Sequence, residues 1–243
     1  MSPAEGRRER LVEVYNEASV CVKCPLSTTR TRVVFGAGNA DADLMFVGEA
    51  PGAEEDRQGL PFVGRAGGLL GKMLEGIGMA RDDVFICNVL KCRPPGNRDP
   101  QPNEIESCEP YLAEQVRLIE PRVVCTLGNF ATKLLTNSQT GITRVRGVPQ
   151  VHELGGRTVF VLPLFHPAAA LRTPAVAEQL RGDFERLPEL LKQPLPQAVQ
   201  TGAEQGGNHR DTPGRGAEDV SRIDSEPEPA HVVPDADQLD LLD

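Results

Sequence analysis

The run Asp43-Leu-Met-Phe-Val-Gly48 decides the fold: it is a short apolar segment, closed by glycine and followed at once by the loop Glu49-Ala-Pro-Gly52. Short apolar runs bounded by turn residues read as strands buried on both faces. Working outward from it, the same unit recurs. A helical pattern covers 66–79, and Val84-Phe-Ile-Cys-Asn-Val-Leu90 is a second strand, followed by a Pro/Gly/Asn loop and a helix over 103–119. Arg122-Val-Val-Cys-Thr-Leu127 is a third strand, with a helix near 129–135. After a hairpin around Gly155-Gly156, Thr158-Val-Phe-Val-Leu-Pro-Leu164 is the fourth, with a closing helix over 174–191. Upstream, residues 4–19 read as an amphipathic helix with Leu11, Val12 and Val14 on its inner side. Apolar strands alternating with helices specify an α/β fold, a parallel sheet with helices on both faces. Ligand sites in such sheets form beyond the carboxyl ends of the strands.

A chain of 243 residues fits one sizeable domain with an appendage. Its net charge of −9 is uneven: residues 193–243 carry 3 basic and 11 acidic side chains, leaving 23 and 24 for residues 1–192. The expected folded domain, 1–192, is therefore near neutral. Local basic groups such as Arg30 with Arg32, Lys91 with Arg93 and Arg98, and Arg144 with Arg146 keep a nucleic-acid partner open. Residues 193–243, with six prolines and little apolar clustering, are expected to be a disordered acidic tail. No stretch approaches the ~20 apolar residues of a membrane span, and the N-terminus lacks the apolar core of a signal peptide. A cytoplasmic protein with no membrane partner is expected, in which six cysteines are poor disulfide candidates.

Four of those cysteines are spaced C-x2-C (Cys21, Cys24), then 67 residues, then C-x15-C (Cys92, Cys108). The pattern favours a metal site, and spacing alone leaves zinc and an iron–sulfur cluster both open. Cys92 and Cys108 are assigned to loop or helix-start positions. Cys87 and Cys125, inside apolar strands, read as small core residues.

The loops after the strands hold the other candidates. Gly48-Glu-Ala-Pro-Gly52 and Gly59-Leu-Pro-Phe-Val-Gly64 allow close backbone approach to a ligand, and a helix follows whose N-terminus favours anions. Phe62, set among glycine and proline, is better placed as a stacking plate than as core filler, though a satellite apolar contact is the plain alternative. Asn88 is a polar amide ending an apolar strand, able to present a donor and an acceptor to a base edge or to bridge two loops. His166 directly follows the fourth strand, on the same sheet edge as Glu49 and Asn88.

Together, Gly48-Glu-Ala-Pro-Gly52, Pro61-Phe-Val-Gly64, Asn88-Val-Leu-Lys-Cys-Arg93, His166-Pro-Ala-Ala and the four-cysteine spacing resemble the family 4 uracil-DNA glycosylases, over roughly residues 20–190. The resemblance implies a three-layer α/β/α fold with a four-stranded parallel sheet. It implies an enzyme that flips uracil out of DNA and hydrolyses its N-glycosidic bond, initiating base excision repair. It also implies a structural [4Fe–4S] cluster on Cys21, Cys24, Cys92 and Cys108. In that setting Phe62 stacks on the uracil, Asn88 reads its N3 hydrogen and O4, and His166 donates toward O2 as the base leaves. Glu55 crowds the 5-position and rejects thymine, and Gly48 and Ala50 belong to the same uracil-binding loop. Better-known glycosylases carry an aspartate where this chain has Ala50. Water is then assigned to the Ala50 carbonyl and Asn97, with Glu49 contributing field or loop order. Leu171 and Arg172 are candidates for filling the vacated stack and gripping phosphate. A related group captures uracil-DNA covalently through a histidine after the second strand; Arg93-Pro-Pro-Gly-Asn-Arg98 has none, so turnover is expected.

Two further readings compete. A cluster-bearing module that binds damaged DNA without cleaving it is the main alternative, and a zinc-stabilised nucleotide hydrolase is the second. At the chain's end, Gln238-Leu-Asp-Leu-Leu242 resembles the peptide by which bacterial repair proteins dock on the sliding clamp. A monomer, nucleoid-associated in a bacterium, is the expected state.

Overall fold

The structure is a computed structural model that describes residues 3–196. The acidic tail and the 238–242 segment lie outside the described residues. The elements follow in chain order as α1 (Pro3–Ser19), β1 (Ala37–Gly38), β2 (Leu44–Gly48), α2 (Ala53–Gln58), α3 (Arg65–Gly76), β3 (Phe85–Asn88), α4 (Pro102–Ile119), β4 (Val123–Leu127) and α5 (Asn129–Thr136). Then come α6 (Ile142–Val145), β5 (Gln150–Leu154), β6 (Arg157–Leu164), α7 (Pro167–Ala170), α8 (Pro174–Phe184) and α9 (Leu187–Lys192).

Among the described residues the strands form one sheet in the order β1-β3-β2-β4-β6-β5. The inner four are mutually parallel, as expected. The sheet is nevertheless six-stranded and mixed, because β1 and β5 add antiparallel edges. The hairpin expected around Gly155-Gly156 is present as β5 and β6, but neither β1 nor β5 is counted among the four expected strands, for a physical reason. β1 has two residues and no period to read, and β5 is the half-exposed first arm of the hairpin, alternating in burial along Gln150–Leu154. The closing helix is also two helices, broken before Pro188.

Period-two alternation sends the strand side chains into two cores. Met45, Val47, Phe85, Cys87, Val124, Val159 and Val161 meet Leu11 and Val14 of α1 and Leu112 and Val116 of α4. Leu44, Phe46, Ile86, Cys125, Leu162 and Leu164 meet Leu70 and Leu74 of α3 and Leu180, Phe184 and Leu187 of α8 and α9. This is the three-layer α/β/α arrangement. The connection after β2 goes to α3 on one face and that after β4 to α5 on the other, so β2 and β4 flank a switch point with a crevice above it.

The end of β6 is pinned from α8. Asp183, fully buried, accepts hydrogen bonds from Arg146 Nε at 2.8 Å and Nη2 at 2.6 Å, and the same guanidinium lies 5.4 Å from the Phe165 ring, next to His166. Asp183→Ala leaves that cation half-buried without its carboxylate, and a loss of about 3 kcal/mol in urea unfolding is expected. A loss under about 1 kcal/mol would show that water replaces the pair.

Candidate active site and cysteine centre

Gly48 and Asn88 end neighbouring parallel strands in register. Gly48 is bare for a steric reason: a Cβ there would lie 2.8 Å from Phe62 Cζ and well inside contact of Asn88 Oδ1. The backbone of β2 thus forms the floor across which the amide of Asn88 and the ring of Phe62 converge. His166 closes the other side, its ring 5.7 Å from that of Phe62 at a 30° tilt. Gly128, at φ +95°, gives it room, since a Cβ there would stand 3.1 Å from His166 Cβ. The structure thus brings Asn88 and Phe62 onto Gly48 and His166 beside Phe62, at one end of the sheet, where the candidate cleft lies.

His166 is the N-cap of α7, and its Nδ1 accepts the Ala168 N–H at 3.1 Å. That bond consigns the ring proton to Nε2. Burial pushes the imidazolium pKa down, with the Glu55 carboxylate opposing the shift and Arg172 adding to it. The ring is a neutral Nε2–H donor. Glu55, in the first turn of α2, also accepts the Gly64 N–H through Oε1 at 3.4 Å, so it reaches toward both the loop and the histidine.

Phe62 is only 6 % exposed, and its φ of +53° is a left-handed conformation that costs an aromatic residue about 1–2 kcal/mol. It belongs to the second core, as the plain alternative has it, and its ring also lies beside that of His166. Arg81 donates to the carbonyls of Pro61 at 2.9 Å and Phe62 at 3.1 Å.

The remaining candidates lie on the loops after β2 and β3 and at the end of α7. Glu49 is half-buried, and burial first, then the nearby Asp99 carboxylate, push its pKa up. The carbonyls of Gly48 and Glu49 accept the Val89 and Leu90 amides, whereas the Ala50 carbonyl accepts no bond among the described residues. Asn97 is exposed in a turn at φ +54°, its Oδ1 taken by Arg93 Nε at 2.7 Å and its amide nitrogen free to donate. Leu171, 38 % exposed, and Arg172, whose Nε donates to Ala168 O at 3.2 Å, stand outside on the end of α7.

The four cysteines of the spaced motif line one small pocket, together with Arg30, Lys91 and Tyr111. Cys108 lies two turns inside α4, not at a helix start, and both it and Cys92 are buried. Burial pushes the free Cys92 thiol up to about 12, with the Arg30 charge partly opposing, and raises Cys108 as well. Backbone and guanidinium donors already point at sulfur: Lys91 N–H to Cys108 Sγ at 3.2 Å and Arg30 Nη1 to Cys92 Sγ at 3.5 Å. Soft thiols, screened from water and met by N–H donors, fit a metal group. Lys91 joins this centre to the cleft, since its buried ammonium donates to Asn88 O at 2.7 Å and to Gln115 Oε1 at 2.6 Å. Cys87 and Cys125 are fully buried strand residues, as read.

The family model for the uracil DNA glycosylase superfamily matches residues 35–187. The chain belongs to that superfamily. Within it, the chain is 47% identical over 192 residues to the type-4 uracil-DNA glycosylase of Archaeoglobus fulgidus, an alignment covering 76% of this chain and 96% of that one. It is 48% identical over 167 residues to the type-4 enzyme of Thermotoga maritima, covering 68% and 85%. Against the type-5 uracil-DNA glycosylase of Pyrobaculum aerophilum it is 30% identical over 146 residues, covering 54% and 63%. Among the described residues of this superfamily member, no helix is long and apolar enough to cross a membrane.

Two functional candidates in the uracil DNA glycosylase domain were not singled out in sequence. Arg81 and Asp99 carry no local signal, since each acts across the fold. Lys91, expected in a local basic group with Arg93 and Arg98, is instead buried with its ammonium on Asn88 O and Gln115 Oε1, consistent with its place in the apolar stretch between Leu90 and Cys92.

Proposed function

We propose that this chain is a uracil-DNA glycosylase of the type-4 kind, which takes uracil out of the DNA stack and hydrolyses its bond to deoxyribose. The observation that carries the reading is the convergence of Asn88, Phe62 and a neutral, Nε2-protonated His166 on the bare backbone of Gly48. Phe62 offers the base a face, and the Asn88 amide matches the N3 hydrogen and O4 that separate uracil from cytosine. Glu55, beside His166, is the group that meets the 5-position. As the C1′–N1 bond breaks, its electron pair passes to the ring and O2, and the Nε2–H of His166 donates to that oxygen. Water adds its oxygen to C1′, with the free Ala50 carbonyl and the Asn97 amide nitrogen as holders, and its proton leaves toward Glu49 or solvent. Burial and the Asp99 carboxylate, which raise the Glu49 pKa, favour its taking up that proton, and while ionised it sets negative charge near the developing oxocarbenium. Leu171 and Arg172 face the DNA.

Cys21, Cys24, Cys92 and Cys108 would hold a [4Fe–4S] cluster. Among the described residues no three His, Cys, Asp or Glu side chains are grouped as a single ion requires, so four thiols spread around one pocket suit a larger group than one zinc. The cluster supplies a cross-link between the N-terminal segment and the loop after β3; the hydrolysis needs no electron transfer. Docking on the sliding clamp through 238–242 is the finer partner reading, and a monomer suffices for a cleft built by one chain.

The test is incubation of the purified protein with uracil-containing single- and double-stranded oligonucleotides, then alkali. Strand scission at uracil is expected. Binding without scission would favour the non-catalytic damaged-DNA module.

A further inference from the structure

We infer that Arg81 is a positioning residue that sets the aromatic plate Phe62, an inference that rests on the function proposed above. Phe62 holds a left-handed backbone, and such a conformation persists at a functional site only where its surroundings over-determine it. Two neighbours do so. On one side a Cβ at Gly67 would collide with the Phe62 carbonyl, so the start of α3 packs directly on that peptide. On the other, the planar fork of Arg81 spans the consecutive carbonyls of Pro61 and Phe62, at 2.9 and 3.1 Å. A planar guanidinium suits two adjacent acceptors; an ammonium is a point donor.

Packing backs this loop on the α3 side only. An open groove borders it, lined by Leu60, Pro61, Phe62 and Arg81, and none of Gly48, Asn88 or His166 lines that groove. The space therefore lies apart from the base cleft. With room there, the peptide at Phe62 could relax out of its left-handed state were the two hydrogen bonds absent. Arg81 itself is well anchored. It opens the short turn Arg81–Asp83, closed by the Ala80 N–H to Asp83 Oδ2 bond at 2.7 Å, and that turn runs straight into β3, which ends at Asn88. The turn that grips the stacking plate thus also starts the strand that carries the base-reading amide.

A merely structural arginine and a positioning arginine separate in a double-mutant cycle. The full chain with its metal centre is prepared as wild type, Arg81→Ala, Arg81→Lys, Phe62→Ala and the Phe62→Ala/Arg81→Ala double variant. Each is assayed for kcat and KM on a single-stranded uracil oligonucleotide, inhibition by free uracil, affinity for the matching thymine oligonucleotide, and thermal unfolding. Arg81→Ala is expected to lower kcat/KM about 10–100-fold per folded molecule and to weaken uracil inhibition in step, with thymine-oligonucleotide affinity held within about twofold. Arg81→Lys should not restore the loss. In the Phe62→Ala background, removing Arg81 should cost less than about twofold more, because the plate it positions is gone. Additive losses, unchanged uracil inhibition, full rescue by lysine, or a decline that only follows the folded fraction would each overturn the inference. Wild-type protein that leaves uracil-DNA intact overturns the functional reading itself, and the inference with it; active wild type with additive variants overturns the inference alone.

Discussion

His166→Ala is expected to lower kcat by about 10²–10³-fold, the usual cost of removing one donor aimed at a developing oxyanion. Because uracil O2 gains its charge only as the bond to deoxyribose breaks, kcat and kcat/KM should fall together, with KM little changed. The geometry makes a second, sharper demand. Ala168 N–H occupies Nδ1, so the donor is Nε2–H on a neutral ring, and burial holds the pKa below the ordinary histidine value of about 6.5. For a base whose folded pKa is lowered, the neutral form survives to more acidic pH. If the neutral ring is the working form, the wild-type kcat should stay flat through about pH 6.5 and decline only below it. A pH–rate profile checks this. An acid limb at or above the ordinary histidine value, or an alanine variant within tenfold of wild type, would remove His166 from this role.

The central architecture was legible because buried parallel strands and the loops between them leave strong marks. Each inner strand is an apolar run ending at glycine, asparagine or proline-rich loops, and Gly48, Asn88 and His166 all fall just where such runs stop. What failed to show was whatever depends on partners distant in sequence. Edge strand β1 exists only because Gly38 lies against the backbone of Val84 and Phe85. Arg81 reads as one more charge at a turn until its guanidinium is seen across two carbonyls nineteen and twenty residues upstream. Asp99 matters through Glu49, which no spacing rule connects. Asn97 was read as a water holder, and half of its amide is engaged with Arg93, leaving the nitrogen for that task. Cys108 was misjudged by two helical turns, since a thiol that faces a buried cavity from within a helix has no loop residues beside it to betray it.

On the cluster proposed above, Cys92→Ser is expected to remove the metal group and a large part of the fold's margin of stability. The thiols gather chain segments far apart: Cys24 and Cys92 bound to one group close a loop of 67 residues. By the entropy of closing such a loop, the cross-link is worth about 4 kcal/mol, a large part of the 5–15 kcal/mol typical of a domain. No free-thiol arrangement replaces it. Burial raises the Cys92 pKa to about 12, so without metal the thiol stays protonated and neutral, and binding must expel that proton. Serine is a poor ligand for a soft metal and leaves its hydroxyl in a cavity bordered by Leu26 and Leu90. The variant should therefore lack the brown absorption of the wild type and unfold at markedly lower temperature. Its kcat per folded molecule should fall far less than in His166→Ala, because the reacting groups belong to the strand ends. Cys125→Ala supplies the contrast: it leaves a small cavity in the sheet but should keep both colour and metal content. Lys91 predicts one graded consequence of the lost centre. Its amide bonds Cys108 Sγ and its ammonium holds the Asn88 carbonyl, so loosening the cysteines should reach the base-reading strand end first and appear as a raised KM. A colourless wild type, or a serine variant with full colour and unchanged unfolding temperature, would refute the cross-link.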